Sequence, residues 1–155
     1  MNILGLDPGL ATTGYAIVAR DHSTFRALDW GIIISPKTLS LPQRLEHITN
    51  DLSSLLKRWR PKIAVVESVY FAKNAKSAIA VSHARGVLLL TLRKHRVEVI
   101  EITPLQLKSR IASYGNASKD QVQFMVKRLL GLKTAPRPDD AADALALALC
   151  GGIKA

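Results

Sequence analysis

The chain opens on a short apolar run, NILGLD (2–7), that ends in an acid and meets Pro8-Gly9, the pattern of a buried strand entering a turn. Residues 14–20 (GYAIVAR) and 25–34 (FRALDWGIII) are rich in β-branched and aromatic positions on either side of a polar DHST break, which predicts a three-stranded meander. After Pro36, Leu45, Ile48, Leu52, Leu55, Leu56 and Trp59 recur at helical spacing. They predict an amphipathic helix over 42–60 that stops before Pro61, with Trp59 read as core rather than as a ligand contact. KIAVVE (62–67) repeats the opening theme of a buried strand ending in an acid, and its place between two helices implies a crossover and parallel pairing. The Ala- and Leu-rich stretch 75–95 reads as a long helix interrupted by Gly86, and VEVIEI (97–102) as a further strand. Ser118 and Gln121 form a capping box for a helix with the stripe Val122, Met125, Val126, Leu129 and Leu130, its other face carrying Lys127 and Arg128. Pro138 opens a last helix, DDAADALALAL. The order β-β-β-α-β-α-β-α-α predicts an α/β fold, a mixed sheet flanked by helices. With 155 residues and no repeat, low-complexity tract or linker, the chain reads as one domain over 1–155.

Charge adds a partner to that outline. Lys and Arg number 22 against 12 Asp and Glu, a net charge of +10, while 48% of residues are hydrophobic. A folded protein with an anionic partner follows, and nucleic acid leads. The bases are segregated: no acid lies between Glu67 and Glu98, where Lys73, Lys76, Arg85, Arg93, Lys94 and Arg96 fall. From Ile102 to Pro138 the only acid is Asp120. The lone Cys150 sits in an apolar run, suits a reducing compartment and reads as a buried small hydrophobe. The N-terminus lacks a basic leader region and no apolar run approaches the roughly 18 residues of a membrane helix, so a cytoplasmic protein without membrane attachment is expected.

Four acids stand where an acid is locally unfavourable. Asp7 and Glu67 end apolar strands, and strand ends are where sites form in open α/β sheets. Asp140 and Asp143 share a helix face and repel one another there. Each has a bland reading, as an Asx-turn, a surface ion pair or a helix N-terminal acid with Asp139 as cap. Together, in a chain of net charge +10, they make chemical sense as an oxygen cage for hard divalent cations. Two such ions can activate a water and stabilise the leaving oxygen of a phosphodiester. His22, His47, His83 and His95 show no zinc-ligand spacing, and GLATTG (9–14) lacks the Gly-Lys-Ser/Thr end of a phosphate loop.

At these residues the chain resembles the RuvC family of Holliday junction resolvases. The motifs are ILGLDPGLATTGYAI, AVVESVYFAKNAKSA, HARGVLL, TPLQLK, SKDQVQFMVKRLL and PDDAADALALA, in the family's order over nearly the whole chain. The resemblance implies an RNase H-like fold, with a five-stranded sheet made of a three-stranded antiparallel meander plus parallel strands. It implies Asp7, Glu67, Asp140 and Asp143 as the metal-binding catalytic acids, with Mg²⁺ or Mn²⁺, two ions per site. Lys108 and Lys119 fall where the family has basic residues near the scissile strand. Tyr70 and Phe71, beside Lys73 and Lys76, are candidate DNA contacts, one ring stacking on bases at the junction centre and the other packing a corner. Asp139 is an extra acid that could shift the ligand assignment by one, and the Asp-Ala-Ala-Asp spacing favours Asp140. The resemblance further implies a homodimer that binds a four-way junction and nicks two opposing strands symmetrically within a T-rich sequence. The helix over 75–95 is the expected dimer interface, and RuvA and RuvB, the branch-migration proteins, are the expected partners.

Three other readings compete. A YqgF-type RNA nuclease would share the fold; an actin-like phosphotransferase would share the DPGLATTG turn but needs a second lobe. A junction-binding scaffold without activity would gain affinity by losing the four carboxylates.

Overall fold

The computed structural model describes residues 1–68 and 75–153. Three strands, β1 (Asn2–Asp7), β2 (Thr12–Asp21) and β3 (Thr24–Ile34), form the antiparallel meander that the hydrophobic pattern predicts. Helix α1 (Leu41–Trp59) then carries the chain across the sheet to β4 (Ile63–Glu67), which lies parallel to β1. Helix α2 (Ala75–Lys94) returns it to β5 (Glu98–Ile102), parallel to β4. The sheet order is β3-β2-β1-β4-β5, so the two strands that end in acids stand side by side at its centre.

Strand alternation divides the core into two layers. Leu4, Leu6, Ile17, Ala64 and Val66 face α1 and α2, where Ile48, Leu52, Leu56, Leu88 and Leu92 cover them. Ile3, Ala16, Val18 and Val65 face the other way, onto α3 (Pro104–Ala112), α4 (Lys119–Leu129) and α5 (Asp139–Gly152). α5 is the buried helix of that layer, and Ala141, Ala142 and Ala144 through Cys150 are all buried. The Cys150 thiol has its pKa pushed up to about 12 by burial, so it is an inert core residue.

Three details differ from the sequence reading. A third helix, α3, stands between β5 and the Ser118 helix, so the order ends in three helices rather than two. Its start is encoded by Thr103-Pro104 and Gln106: Gln106 N donates to Thr103 Oγ1 at 3.2 Å, and Thr103 N to Gln106 Oε1 at 2.9 Å. Gly86 does not interrupt α2, which runs unbroken over Ala75–Lys94. Asp139 is not the cap of α5, because Pro138 takes that position and Asp139 is the first helical residue.

Candidate active site

Asp7 and Glu67 are the last residues of β1 and β4. Leu6 pairs with Val66, so the two acids follow one step further along parallel neighbours. By alternation with Ile3 and Val65 both face α5. Two glycines bring that helix within reach. Gly14 is the cross-strand partner of Asp7, and a Cβ on it would lie 2.0 Å from the Asp140 carbonyl oxygen. At Gly5 a Cβ would lie 1.9 Å from the carbonyl oxygen of Ala144. Bare glycine backbone therefore lets the first turns of α5 rest against β1 and β2, which carries Asp140 and Asp143 to the strand ends.

The carboxylates share one field. Asp7 has its pKa raised from the ordinary 3.8 to about 7, first by burial and then by repulsion from Glu67, Asp143 and Asp140, with Lys119 pulling the other way. Glu67 is raised by burial and by Asp143. Asp143 is raised chiefly by burial, against which the ammonium of Lys119 acts. Lys119 loses some affinity for its proton through desolvation, but its contacts with Asp143 and Asp139 outweigh that and raise it. Its Nζ donates to Asp143 Oδ2 at 3.2 Å and lies 3.4 Å from Asp139 Oδ2. Arg137 Nη1 lies 3.4 Å from the other Asp139 oxygen. Asp140 turns elsewhere, its Oδ2 accepting from Thr12 Oγ1 at 2.9 Å.

The donor set fits a hard divalent cation, because acids held together against burial and repulsion need positive charge. In these side-chain positions, among the described residues, no three His, Cys, Asp or Glu groups close to ligating distance. The acids are coupled through space, and the Lys119 ammonium supplies positive charge beside them. Asp139 differs from the other acids: it is exposed, faces Lys119 and Arg137, and stands at the rim.

A cleft of about 270 Å³ opens beside the acids, lined by Glu67, Asp143, Lys108 and Lys119 among others. The two lysines singled out in the sequence thus flank the carboxylates, Lys108 from α3 and Lys119 from the first turn of α4. Tyr70, Phe71 and Lys73 lie outside the described residues, as does the side chain of Lys76. Thr12 and Gly14 escaped the sequence reading. The GLATTG stretch carried them in plain view, but their value depends on α5 folding back against β2, which no local signal announces.

The chain is similar over nearly its whole length to proteins of known kind. The family profile described as "Crossover junction endodeoxyribonuclease RuvC" matches residues 3–151. A protein of that name from Alkaliphilus oremlandii is 45% identical over 150 residues, covering 97% of this chain and 92% of the relative. Another from Rubrobacter xylanophilus is 47% identical over 148 residues, covering 96% and 83%. Among solved structures, Thermus thermophilus RuvC in complex with Holliday junction substrate superimposes with a TM-score of 0.93 at 33% identity, covering 99% of this chain and 93% of that one. The yeast mitochondrial resolvase Ydc2, with a TM-score of 0.68 at 19% identity, shares the fold.

Proposed function

The chain belongs to the RuvC family of crossover junction endodeoxyribonucleases and is a metal-dependent nuclease acting on Holliday junctions, and from that premise we propose how its own residues carry the reaction. Family membership sets aside the YqgF-type, phosphotransferase and inactive-scaffold readings. Asp7, Glu67, Asp140 and Asp143 would hold Mg²⁺, or Mn²⁺ in its place, with two ions per site. When bound, the metal supplies Lewis acidity and an activated water for in-line displacement at phosphorus.

The remaining work belongs to the chain. Asp7, last in its strand and raised to about 7, would hold the metal as a carboxylate, with its proton released to solvent. Lys119, whose ammonium lies 3.2 Å from Asp143, would offer that positive charge to the phosphate of the strand to be cut. Lys108, which lines the same cleft, would add a second positive charge for the DNA backbone. Rim acid Asp139, 3.4 Å from Lys119, gives that lysine a second anchor beside Asp143. Tyr70 and Phe71 supply the base-stacking ring, and Lys73 and Lys76 add phosphate contacts ahead of α2 and in its first turn.

The working unit is a homodimer formed through α2. Ile79 and Leu90 are 58% and 57% exposed on that helix. Eleven residues apart, they share one face, and Gly86 lies between them on it, where an added Cβ would meet nothing within 4 Å. Glycine inside a helix costs about 1 kcal/mol against alanine, so it has a packing reason, here the close approach of a partner helix. A single domain over 1–155, RuvA and RuvB as partners, and a cytoplasmic location complete the reading. Among the described residues no helix is long and apolar enough to cross a membrane.

The observation that supports the site assignment is that Asp7 is raised to about 7, first by its burial and then by repulsion from Glu67, Asp143 and Asp140. The experiment is cleavage of an end-labelled four-way junction with a T-rich core, in Mg²⁺ and in EDTA, beside linear duplex of the same sequence. Paired nicks that require both junction and metal are expected for the wild type, with Asp7, Glu67, Asp140 and Asp143 each indispensable. Full cleavage by any one of the four amide variants would remove that residue from the site.

A further inference from the structure

The β1–β2 turn is tied down more firmly than a short connection between two strands requires. Thr13 Oγ1 donates to the Gly9 carbonyl at 2.7 Å, and Ser35 N donates to the Ala11 carbonyl at 3.0 Å. The Ser35 hydroxyl donates to the Leu10 carbonyl, which also accepts from Arg44 Nη2 at 3.3 Å. Arg44 Nε in turn donates to Ser35 Oγ at 3.0 Å. Residues from β2, from the end of β3 and from α1 thus converge on consecutive carbonyls of the turn. What the turn delivers is Thr12, the first residue of β2. Its hydroxyl donates to Asp140 Oδ2 at 2.9 Å, across 128 positions of sequence.

We propose that Thr12 is a positioning residue for the nuclease reaction, fixing the Asp140 carboxylate through that hydrogen bond so that its other oxygen is presented to a divalent cation. The inference rests on the reading of Asp140 as a metal-holding acid. A β-branched side chain has few χ1 choices, so once the turn is fixed the hydroxyl is fixed with it. Asp140 needs such a guide. It stands in the first turn of α5, where its backbone rests on Gly14, while Lys119 engages Asp139 and Asp143 on the other side. A free aspartate has two χ angles to lose on binding a metal, and outer hydrogen bonds that remove that freedom in advance are worth about 10- to 100-fold in metal affinity or activity.

The test compares Thr12→Val, which keeps the branched shape and deletes the hydroxyl, with Thr12→Ser, which keeps the hydroxyl, and with Asp140→Asn. Mn²⁺ binding is measured without DNA by electron paramagnetic resonance, and cleavage is followed as a function of Mg²⁺. Thr12→Val should bind Mn²⁺ about tenfold more weakly and need correspondingly more Mg²⁺ for half-maximal cleavage. Its maximal rate at saturating Mg²⁺, its melting temperature and its junction binding in EDTA should stay near wild type. Thr12→Ser should return Mn²⁺ affinity to within about twofold of wild type. If Asp140→Asn loses Mn²⁺ while Thr12→Val binds it as wild type does, the positioning role is wrong and the carboxylate site stands. If Thr12→Ser is as weak as Thr12→Val, the hydroxyl is not the cause and the proposal falls. Should Asp140→Asn bind Mn²⁺ normally, the metal-holding reading of Asp140 fails and takes the proposal with it.

Discussion

Asp7 concentrates the residue-scale physics of the site. Its carboxyl is raised from 3.8 to about 7 by burial and by three neighbouring acids, so in the metal-free protein it is half protonated near neutrality. On the proposed role, Asp7→Asn removes a carboxylate that would hold the metal beside the DNA backbone. It should leave junction binding in EDTA equal or tighter and lower cleavage by at least about a thousandfold, roughly 4 kcal/mol of activation free energy; loss of binding along with cleavage would contradict the role. The raised pKa also sets a pH dependence. Between about 4 and 7 the folded state keeps a proton that the unfolded chain releases, so stability is fullest below about 4 and falls as the pH rises through about 7. Three pKa units are worth at most about 4 kcal/mol, and partial solvent access brings that to roughly 1–2 kcal/mol. Urea unfolding of the metal-free protein from pH 4.5 to 8 should show that decline, largely absent in Asp7→Asn, with the remainder from Glu67 and Asp143, which are raised in the same direction. Because cation and proton compete for Asp7, Mg²⁺ affinity should increase as the pH rises through about 7, and a flat metal affinity across that range would separate Asp7 from the metal.

At the scale of elements, α5 lying directly on β1 and β2 is what turns two strand ends into a site. A Cβ at Gly5 or Gly14 would meet main-chain atoms of α5 at 1.9 and 2.0 Å, so neither can be relieved by a side-chain rotation. Gly5→Ala and Gly14→Ala should each destabilise the protein by about 2–4 kcal/mol, in the range of severe core overpacking. They differ in what else they disturb. Gly14 lies against Asp140 itself, whereas Gly5 lies against Ala144 and Ala148 deeper along the helix. At a temperature where both variants are folded, Gly14→Ala should show the larger loss of Mn²⁺ affinity; equal losses would mean that α5 shifts as one rigid rod. This contact also marks the limit of what was legible in the sequence. Strands and most helices were readable because their hydrophobic periods are local, and Asp7, Glu67, Asp140 and Asp143 because each interrupts such a period with a charge. α3 went unread although Thr103-Pro104-Leu105-Gln106 spells a helix start, because its nine residues bury only Leu107 and Ile111 and show little apolar stripe. Thr12, Gly5 and Gly14 were illegible for a different reason: their importance lies in a pairing across more than a hundred residues that only the fold creates.

For the whole molecule the relevant quantities are net charge and symmetry. A chain of +10 with four acids near the ends of its central strands and the start of α5 has its bases left for phosphate, and each phosphate contact releases counterions. The slope of log affinity against log salt for junction binding should therefore fall by about 0.9 for each contact removed, so Lys108→Ala and Lys119→Ala should each reduce it by about that much. Unchanged slopes would take those lysines off the DNA. A four-way junction has two-fold symmetry, and an isologous dimer places two equivalent sites on two opposing strands. In the dimer proposed above, the exposed face of α2, with Ile79, Gly86 and Leu90 in line, would supply that contact. Leu90→Glu would place a charge in the apolar seam of both subunits at once while touching none of the carboxylates, so its effect should be on assembly and not on the chemistry of one site. Sedimentation at micromolar concentration should find wild type as a dimer and Leu90→Glu as a monomer, with unchanged thermal stability at low concentration. On a supercoiled plasmid carrying an extruded cruciform, two coordinated cuts yield linear DNA, whereas a first cut acting alone releases the supercoiling and lets the cruciform be reabsorbed. Wild type should therefore give chiefly linear product and Leu90→Glu chiefly nicked circle. A monomeric variant that still linearises the plasmid would show that pairing of the cuts does not come from α2, and a dimeric Leu90→Glu would place the interface on another face.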